Sequence, residues 1–352
     1  CVRSAVDPDL WGHVRFGLDL LATRALTSVD PYSFTQDVAW INHEWLSEAL
    51  FAVAFRLAGV PGLFLLKIAI LGLAAWVLAV SARRARESLR WWLLAAALFG
   101  LAPTAATFRP QLWTVLCVAV LCGLLVKGRS LKWVPLLFAV WANMHGGWIV
   151  GAGILGLWMV GRIFDTRDLR SAFPIALALA AGLAATIVNP YGWRLWAFLL
   201  TTVRTGREIT EWRPLWEQSD PSHGILWAGT VAIVAATVWL RPRSIAWAAL
   251  LPVIWLGASG LFVDRLAPLF SEVALLFTAD AWRPASAFDR HIPVRRVQPG
   301  MVLVDAMILS LVVGFYTVRA SRCLPIEGAW TPDLDAASAF ASPEVRGRLV
   351  LP

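Results

Sequence analysis

Long blocks of apolar residues fill most of this chain from position 61 onward, separated by short polar breaks. A bilayer core needs roughly 20 apolar residues to cross it as a helix. By that measure the blocks predict about ten helices, over 61–80, 91–107, 111–126, 132–143, 148–163, 171–188, 225–240, 244–260, 265–280 and 300–318. Several are short, so neighbouring helices must complete their burial. The run 46–58 (LSEALFAVAFRLA) is amphipathic and stops at Gly59-Val60-Pro61. It predicts an interfacial helix leading into the first span. The run 193–204 (WRLWAFLLTTVR) reads the same way.

The breaks sort into two sets. Segments 81–90 (SARRARESLR), 127–132 (KGRSLK), 162–170 (RIFDTRDLR), 241–243 (RPR) and 281–300 are basic, and alternation of the spans puts them on one side. The excess of Lys and Arg makes that side cytoplasmic. Residues before Leu46, the turns 104–111 and 143–147, the segment 189–224 and the tail after Arg319 then share the opposite side.

Composition supports a lipid-embedded protein. Only 15% of the 352 residues are charged and the mean hydropathy is +0.66, where a soluble domain carries roughly a quarter charged residues. The net charge of +8 comes from basic clusters between apolar runs, which argues against nucleic acid as a partner. Four scattered cysteines make no disulfide framework, and Cys117 and Cys122 read as small core residues. The start at Cys1 and the polar tail suggest a fragment whose first helix is absent and whose C-terminal soluble domain is cut short. The expected division is 1–60, a first external loop with its interfacial helix; 61–318, a transmembrane helical domain; and 319–352, the start of a non-cytoplasmic soluble domain.

The polar residues that are costly near lipid gather on the non-cytoplasmic side. They are Asp7, Asp9, His13 and Arg15; Asn42, His43, Glu44 and Glu48; Arg109 and Gln111; Asn143 and His145; Asn189, Tyr191 and Arg194; and Glu208 and Glu211. Polar groups at membrane depth commonly line a cavity or bind a ligand. Each group also has a plain reading. Asp7-Pro8-Asp9 reads equally as a turn and helix cap or as paired carboxylates for a proton or a divalent cation. His43-Glu44 can cap the following helix. Arg109 can snorkel to the surface or clamp a phosphate. Asn143 with His145-Gly146-Gly147 can satisfy a tight turn, and Asn189-Pro190-Tyr191-Gly192 reads first as a turn at a helix end. Asp264-Arg265 and Glu272 read as a structural pair or loop contact.

The stretches DPDLWGHVRFG (7–17), DPYSFT (30–35) and NHEWLSE (42–48) resemble the first external loop of bacterial GT-C-type membrane glycosyltransferases, with a more distant similarity to oligosaccharyltransferase catalytic subunits. FRPQ (108–111), WANMHGG (141–147) and NPYGWR (189–194) resemble blocks in uncharacterised bacterial relatives of that group. The resemblance implies an all-α polytopic bundle of about ten spans with a catalytic first external loop. It also implies an enzyme of the bacterial inner (plasma) membrane, working on the periplasmic or extracellular side. Such an enzyme moves a sugar, with inversion, from a polyprenyl-phosphate donor to an acceptor whose identity the sequence leaves open. Asp7 or Asp9 would be the catalytic carboxylate; Arg109, His145 and Arg15 would bind the donor phosphate; His43, Glu44, Asn143 and His13 would serve the acceptor or support the site. A divalent cation, magnesium or manganese, would be held by Asp7, Asp9 and Glu44. Two other readings compete. A transporter or flippase of a lipid-linked substrate would want deep charges, for which Lys67, Glu272 and Asp305 are the candidates. A non-catalytic scaffold subunit would tolerate alanine at Asp7, Asp9 and His43.

Overall fold

The computed structural model describes residues 9–32, 40–82, 87–127, 131–204 and 210–282, and these are helical with no strand among them. Twelve α-helices follow in order: α1 Leu10–Thr23, α2 Trp45–Ser81, α3 Glu87–Gly100, α4 Ala102–Ala106, α5 Gln111–Lys127, α6 Val134–Met144, α7 Trp148–Thr166, α8 Phe173–Ala185, α9 Arg194–Arg204, α10 Pro221–Leu240, α11 Trp247–Phe262 and α12 Ala267–Ala281. Nine of the ten expected segments lie on these helices, and 300–318 lies outside the described residues. Three helices, α2, α7 and α10, are long and apolar enough to cross a membrane on their own. The polar tail, Asp305 and the basic segment 283–300 also fall outside the described residues, as does the expected soluble domain 319–352.

The expected break before the first span is present as a kink within α2. Ala58 and Gly59 leave helical geometry, with Gly59 at φ +61° and ψ −144°, a region essentially reserved for glycine. Pro61, which has no N–H to donate, begins the second half where a first-turn proline is tolerated. The amphipathic run 46–58 is thus set at an angle to the apolar run that follows.

One helix was not anticipated. Residues 10–23 form α1, four turns whose apolar positions Leu10, Val14 and Leu18 are interrupted by His13, Arg15 and Asp19. Leu10, Trp11, Val14 and Leu18 fall on one face at helical spacing, and that face packs on the first half of α2. Val14, Phe51, Leu63, Ile70, Phe108 and Leu112 form a small core there, separate from the main one. The backbones come so close that a Cβ on Gly17 would lie 2.0 Å from the Glu48 carbonyl oxygen and 2.8 Å from the Ala52 Cβ. Gly17→Ala is therefore expected to push α1 off α2 and to cost about 1–3 kcal/mol, read as a lowered thermal midpoint in detergent.

The main core is built by α2, α3 and α5–α12 around Trp141, Phe138, Ile154, Leu155 and Leu256. Contacts at the two ends of the bundle match the alternation expected from the sequence. At one end Asp165, in the last turn of α7, accepts the backbone N–H groups of Trp247 and Ala248 at 2.7 and 3.1 Å. Arg241 stacks 4.6 Å over the ring of Trp282 at the close of α12. The other end carries the acidic, histidine-rich turns.

Candidate functional site

At that second end, six segments converge: the start of α1, the start of α2, the turn before α5, the α6–α7 turn, the stretch between α9 and α10 and the turn before α12. Arg109, just ahead of α5, is the hub of the outermost group. Its Nη1 donates to Glu211 Oε1 at 2.7 Å, and its Nη2 lies 3.3 Å from Asp9 Oδ2. Asp9 holds the N-cap position of α1, yet its side chain makes no capping bond there. The capping reading therefore does not account for this carboxylate. Its side chain is 63% exposed and that of Arg109 is 19% exposed, so the pair sits at the rim with the guanidinium on the inner side.

Below the rim, His13 follows Asp9 by one helical turn on the same face of α1. Its Nδ1 lies 3.1 Å from Glu48 Oε1. Asn42 donates its side-chain amide to the other oxygen of Glu48, a carboxylate buried in α2. Burial of the imidazole opposes protonation, but the hydrogen bond to Glu48 and the charges of Glu44, Glu48 and Asp9 outweigh it and raise the His13 pKa.

The third group centres on His145. Trp141 Nε1 donates to Thr114 Oγ1 at 3.0 Å, which turns the Thr114 hydroxyl toward His145 Nδ1 at 2.8 Å. The Gly147 N–H also points to Nδ1, at 3.0 Å. The Gly147 N–H can only donate, and so can the Arg265 guanidinium near Nε2, so donors face both ring nitrogens. Nε2 then faces Glu44 Oε1 at 3.5 Å, with Arg265 Nη2 at 3.2 Å. Burial first, then the positive charges of Arg265, His43 and His13, hold the His145 pKa well below the ordinary histidine value. His43 Nε2 lies 3.6 Å from the same Glu44 oxygen and packs its ring on Phe198 of α9.

This arrangement gives a stability signature. The unfolded chain takes up a proton at His145 near pH 6.5 while the folded chain does not. Stability is therefore complete above that pH and falls as the pH drops toward the lowered folded value. His13 acts in the opposite sense, stabilising below pH 6.5 and losing its contribution as the pH rises through its raised folded value. His145→Gln is expected to flatten the acid-side loss in stepped-pH thermal melts without altering the alkaline limb.

The anticipated residues divide clearly. Asp9, His13, His43, Glu44, Arg109 and His145 are brought to one end of the bundle. Arg15 is not brought to it. Two residues on from His13 it points some 200° away around the helix, and it pairs with Asp19 at 3.1 Å and with the Tyr32 hydroxyl at 2.7 Å. Asn143 supports rather than lines the site: it accepts from Trp45 Nε1 and donates to the carbonyls of Ala139 and Val188. Asn189 closes its own turn through Thr186, Tyr191 and Gly192, as the plain reading expects. Asp7 lies outside the described residues. Sequence reasoning missed Arg265, taken for a loop contact, and the working roles of Glu48, Thr114 and Glu211.

The chain matches no protein-family model and no curated protein. The site therefore has to be interpreted from its own chemistry. Asp9 and Glu44 stand apart, the first paired with the Arg109 guanidinium and the second within 3.6 Å of the imidazoles of His43 and His145. Among the described residues no three His, Cys, Asp or Glu side chains are grouped to hold a metal ion. Asp7, the third carboxylate expected at a magnesium or manganese ion, lies outside the described residues.

Proposed function

We propose that this chain is a membrane glycosyltransferase that takes a sugar from a polyprenyl-phosphate carrier at the non-cytoplasmic face of a bacterial plasma membrane. The observation that carries the reading is Arg109, a partly buried guanidinium bridging Asp9 and Glu211 at the end of a bundle whose long helices are apolar enough for lipid. A planar guanidinium matches a phosphate through two parallel hydrogen bonds. A donor phosphate displaces one carboxylate from it, and Asp9, the more exposed of the two, is the one released. The acceptor hydroxyl then attacks the anomeric carbon, its proton passes to the Asp9 carboxylate, and the glycosidic bond forms as the bond to the polyprenyl phosphate breaks. Arg109 neutralises the phosphate that leaves. His145, buried and held well below the ordinary histidine pKa, adds no positive charge to the group.

The test uses the full-length protein in native-like membranes with radiolabelled polyprenyl-phosphate sugars. Label is expected to move to an acceptor or to water, and Asp9→Asn is expected to slow this by about 100-fold or more with the thermal midpoint retained. Turnover indifferent to Asp9→Asn removes Asp9 as the base, and no turnover with any donor removes the transferase reading. A transporter of lipid-linked substrates is the second reading. Lys67 in α2 and Glu272 in α12 favour it, because both are buried and charged residues inside membrane helices often mark a transport path.

A further inference from the structure

Arg265, in the turn before α12, is another guanidinium at this end of the bundle, and the steps above give it no part. Its Nη2 lies 3.2 Å from His145 Nε2. Across the ring, the Gly147 N–H meets Nδ1 at 3.0 Å. A neutral imidazole carries one N–H and one acceptor nitrogen, and burial together with nearby positive charge holds His145 neutral. Whichever nitrogen has the proton, one of these two donors therefore faces another donor. The Gly147 N–H is fixed by the backbone of the α6–α7 turn, so the mismatch falls on Arg265, a side chain that can turn. The third member of the group is Glu44. Its Oε1 lies 3.5 Å from His145 Nε2 and 3.6 Å from His43 Nε2, beyond the length of a good hydrogen bond to either. The Glu44 and His145 side chains are 16% and 12% exposed, so this loosely held carboxylate reaches the surface.

We propose that Arg265, His145 and His43 form a second phosphate subsite, in which the Glu44 carboxylate stands where a phosphate oxygen binds. An oxyanion at Nε2 removes the mismatch. It accepts from the Arg265 guanidinium and from an imidazole N–H at Nε2, and Nδ1 is left to accept from Gly147. Room comes from exchange rather than from a cavity: the phosphate takes the place that Glu44 vacates, as the phosphate on Arg109 takes the place of Asp9. Glu44 holds the N-cap position of α2 but makes no side-chain capping bond, so its carboxylate can swing away without unwinding the helix. Two guanidiniums, each near a displaceable carboxylate, suit a diphosphate. They share a scaffold. Thr114 of α5, the helix that Arg109 precedes, bonds His145 at 2.8 Å, and the Arg213 carbonyl, two residues from Glu211, accepts the backbone N–H of Asp264 beside Arg265. Resting on the transferase reading, the donor is a polyprenyl-diphosphate sugar. Arg109, beside the Asp9 base, holds the phosphate joined to the sugar, and Arg265 holds the one joined to the lipid. The acceptor oxygen bonds to the anomeric carbon, its proton goes to Asp9, and the polyprenyl diphosphate leaves with the electron pair of the broken C–O bond.

The experiment uses the full chain in lipid nanodiscs, with farnesyl monophosphate and farnesyl diphosphate as probes titrated by tryptophan fluorescence. Wild type is expected to bind the diphosphate at least about tenfold more tightly than the monophosphate, the worth of charge-assisted hydrogen bonds to one further group. Arg265→Gln is expected to erase most of that preference, chiefly through weaker diphosphate binding, whereas Arg109→Gln weakens both probes. Glu44→Gln removes the competing charge and is expected to raise diphosphate affinity several-fold, a gain that lost packing does not produce. Thermal melts establish that each variant is folded, and Glu44→Gln carries the test if Arg265→Gln is not. Equal affinity for the two probes in wild type overturns the subsite, as does a preference untouched by both Arg265→Gln and Glu44→Gln. Nanodiscs with and without phosphatidylglycerol separate the donor from a lipid headgroup. Diphosphate affinity that phosphatidylglycerol lowers in wild type but not in Arg265→Gln gives the subsite to the headgroup and overturns the diphosphate donor. Sugar-loaded monophosphate and diphosphate donors are assayed for turnover in parallel. A preference that depends on Arg265 with no turnover of either donor overturns the transferase reading and upholds the subsite. Turnover of the monophosphate donor alone does the reverse.

Discussion

Arg109→Ala is expected to reduce sugar transfer from a polyprenyl-phosphate donor by at least about 100-fold, the range found when a group stabilising developing charge is removed. The expectation rests on geometry. Arg109 spans two carboxylates that come from segments 202 positions apart, Asp9 at the head of α1 and Glu211 beyond α9. Both its outer nitrogens are therefore already directed at oxyanions, and a phosphate needs only to replace one of them. Arg109→Lys is expected to restore less than a tenth of the lost rate, because an ammonium is a point charge that cannot present two parallel N–H groups. The change also leaves Glu211 without the guanidinium, and Glu211 Oε2 is buried with no hydrogen bond of its own. Some loss of thermal stability will accompany the loss of rate. Donor binding separates the two effects: the thermal shift follows Glu211, whereas weaker binding of the phosphate follows the clamp. A variant that keeps full donor affinity and rate would remove Arg109 from the site.

What the sequence made legible was which motifs share one end of the bundle. The apolar blocks placed helices by run length and basic breaks, and the polar motifs were assigned to one end, where the structure gathers Asp9, His13, His43, Glu44, Arg109 and His145. Pairing was not legible. Nothing in the spacing of Arg109 and Glu211, or of His145 and Arg265, announces that they meet, since these contacts depend on how α5, α6 and α12 pack. Phase explains Arg15: listed beside His13 in a linear motif, it turns to the opposite face once residues 10–23 are helical. The asparagines show the limit from the other direction. Asn189 closes its turn, as its motif suggests, whereas Asn143, a candidate for the site, spends its amide on Trp45 and on the carbonyls of Ala139 and Val188.

The buried end of the cluster carries the larger energetic consequence. Glu48→Ala is expected to destabilise the protein by about 3–5 kcal/mol, as when one member of a buried charged pair is removed. The Glu48 carboxylate is buried between His13 and Asn42. Its loss leaves an imidazole and an amide inside the α1–α2 contact, at the turn of α2 whose backbone already touches Gly17. Glu48→Gln keeps the shape and a donor–acceptor pair but removes the charge that helps raise the His13 pKa. It is expected to cost about 1–3 kcal/mol, and its cost depends on pH in a defined sense. In wild type the His13 contribution is complete below pH 6.5 and fades as the pH rises through the raised folded value. In Glu48→Gln that excess disappears, so the gap between wild type and variant is widest in mild acid and narrows at alkaline pH. Glu48→Ala should show the same narrowing on top of a constant loss from the cavity. A gap that is constant with pH would mean that His13 and Glu48 are held together by packing rather than by charge, and would leave α1 anchored mainly by Val14 and the close approach at Gly17.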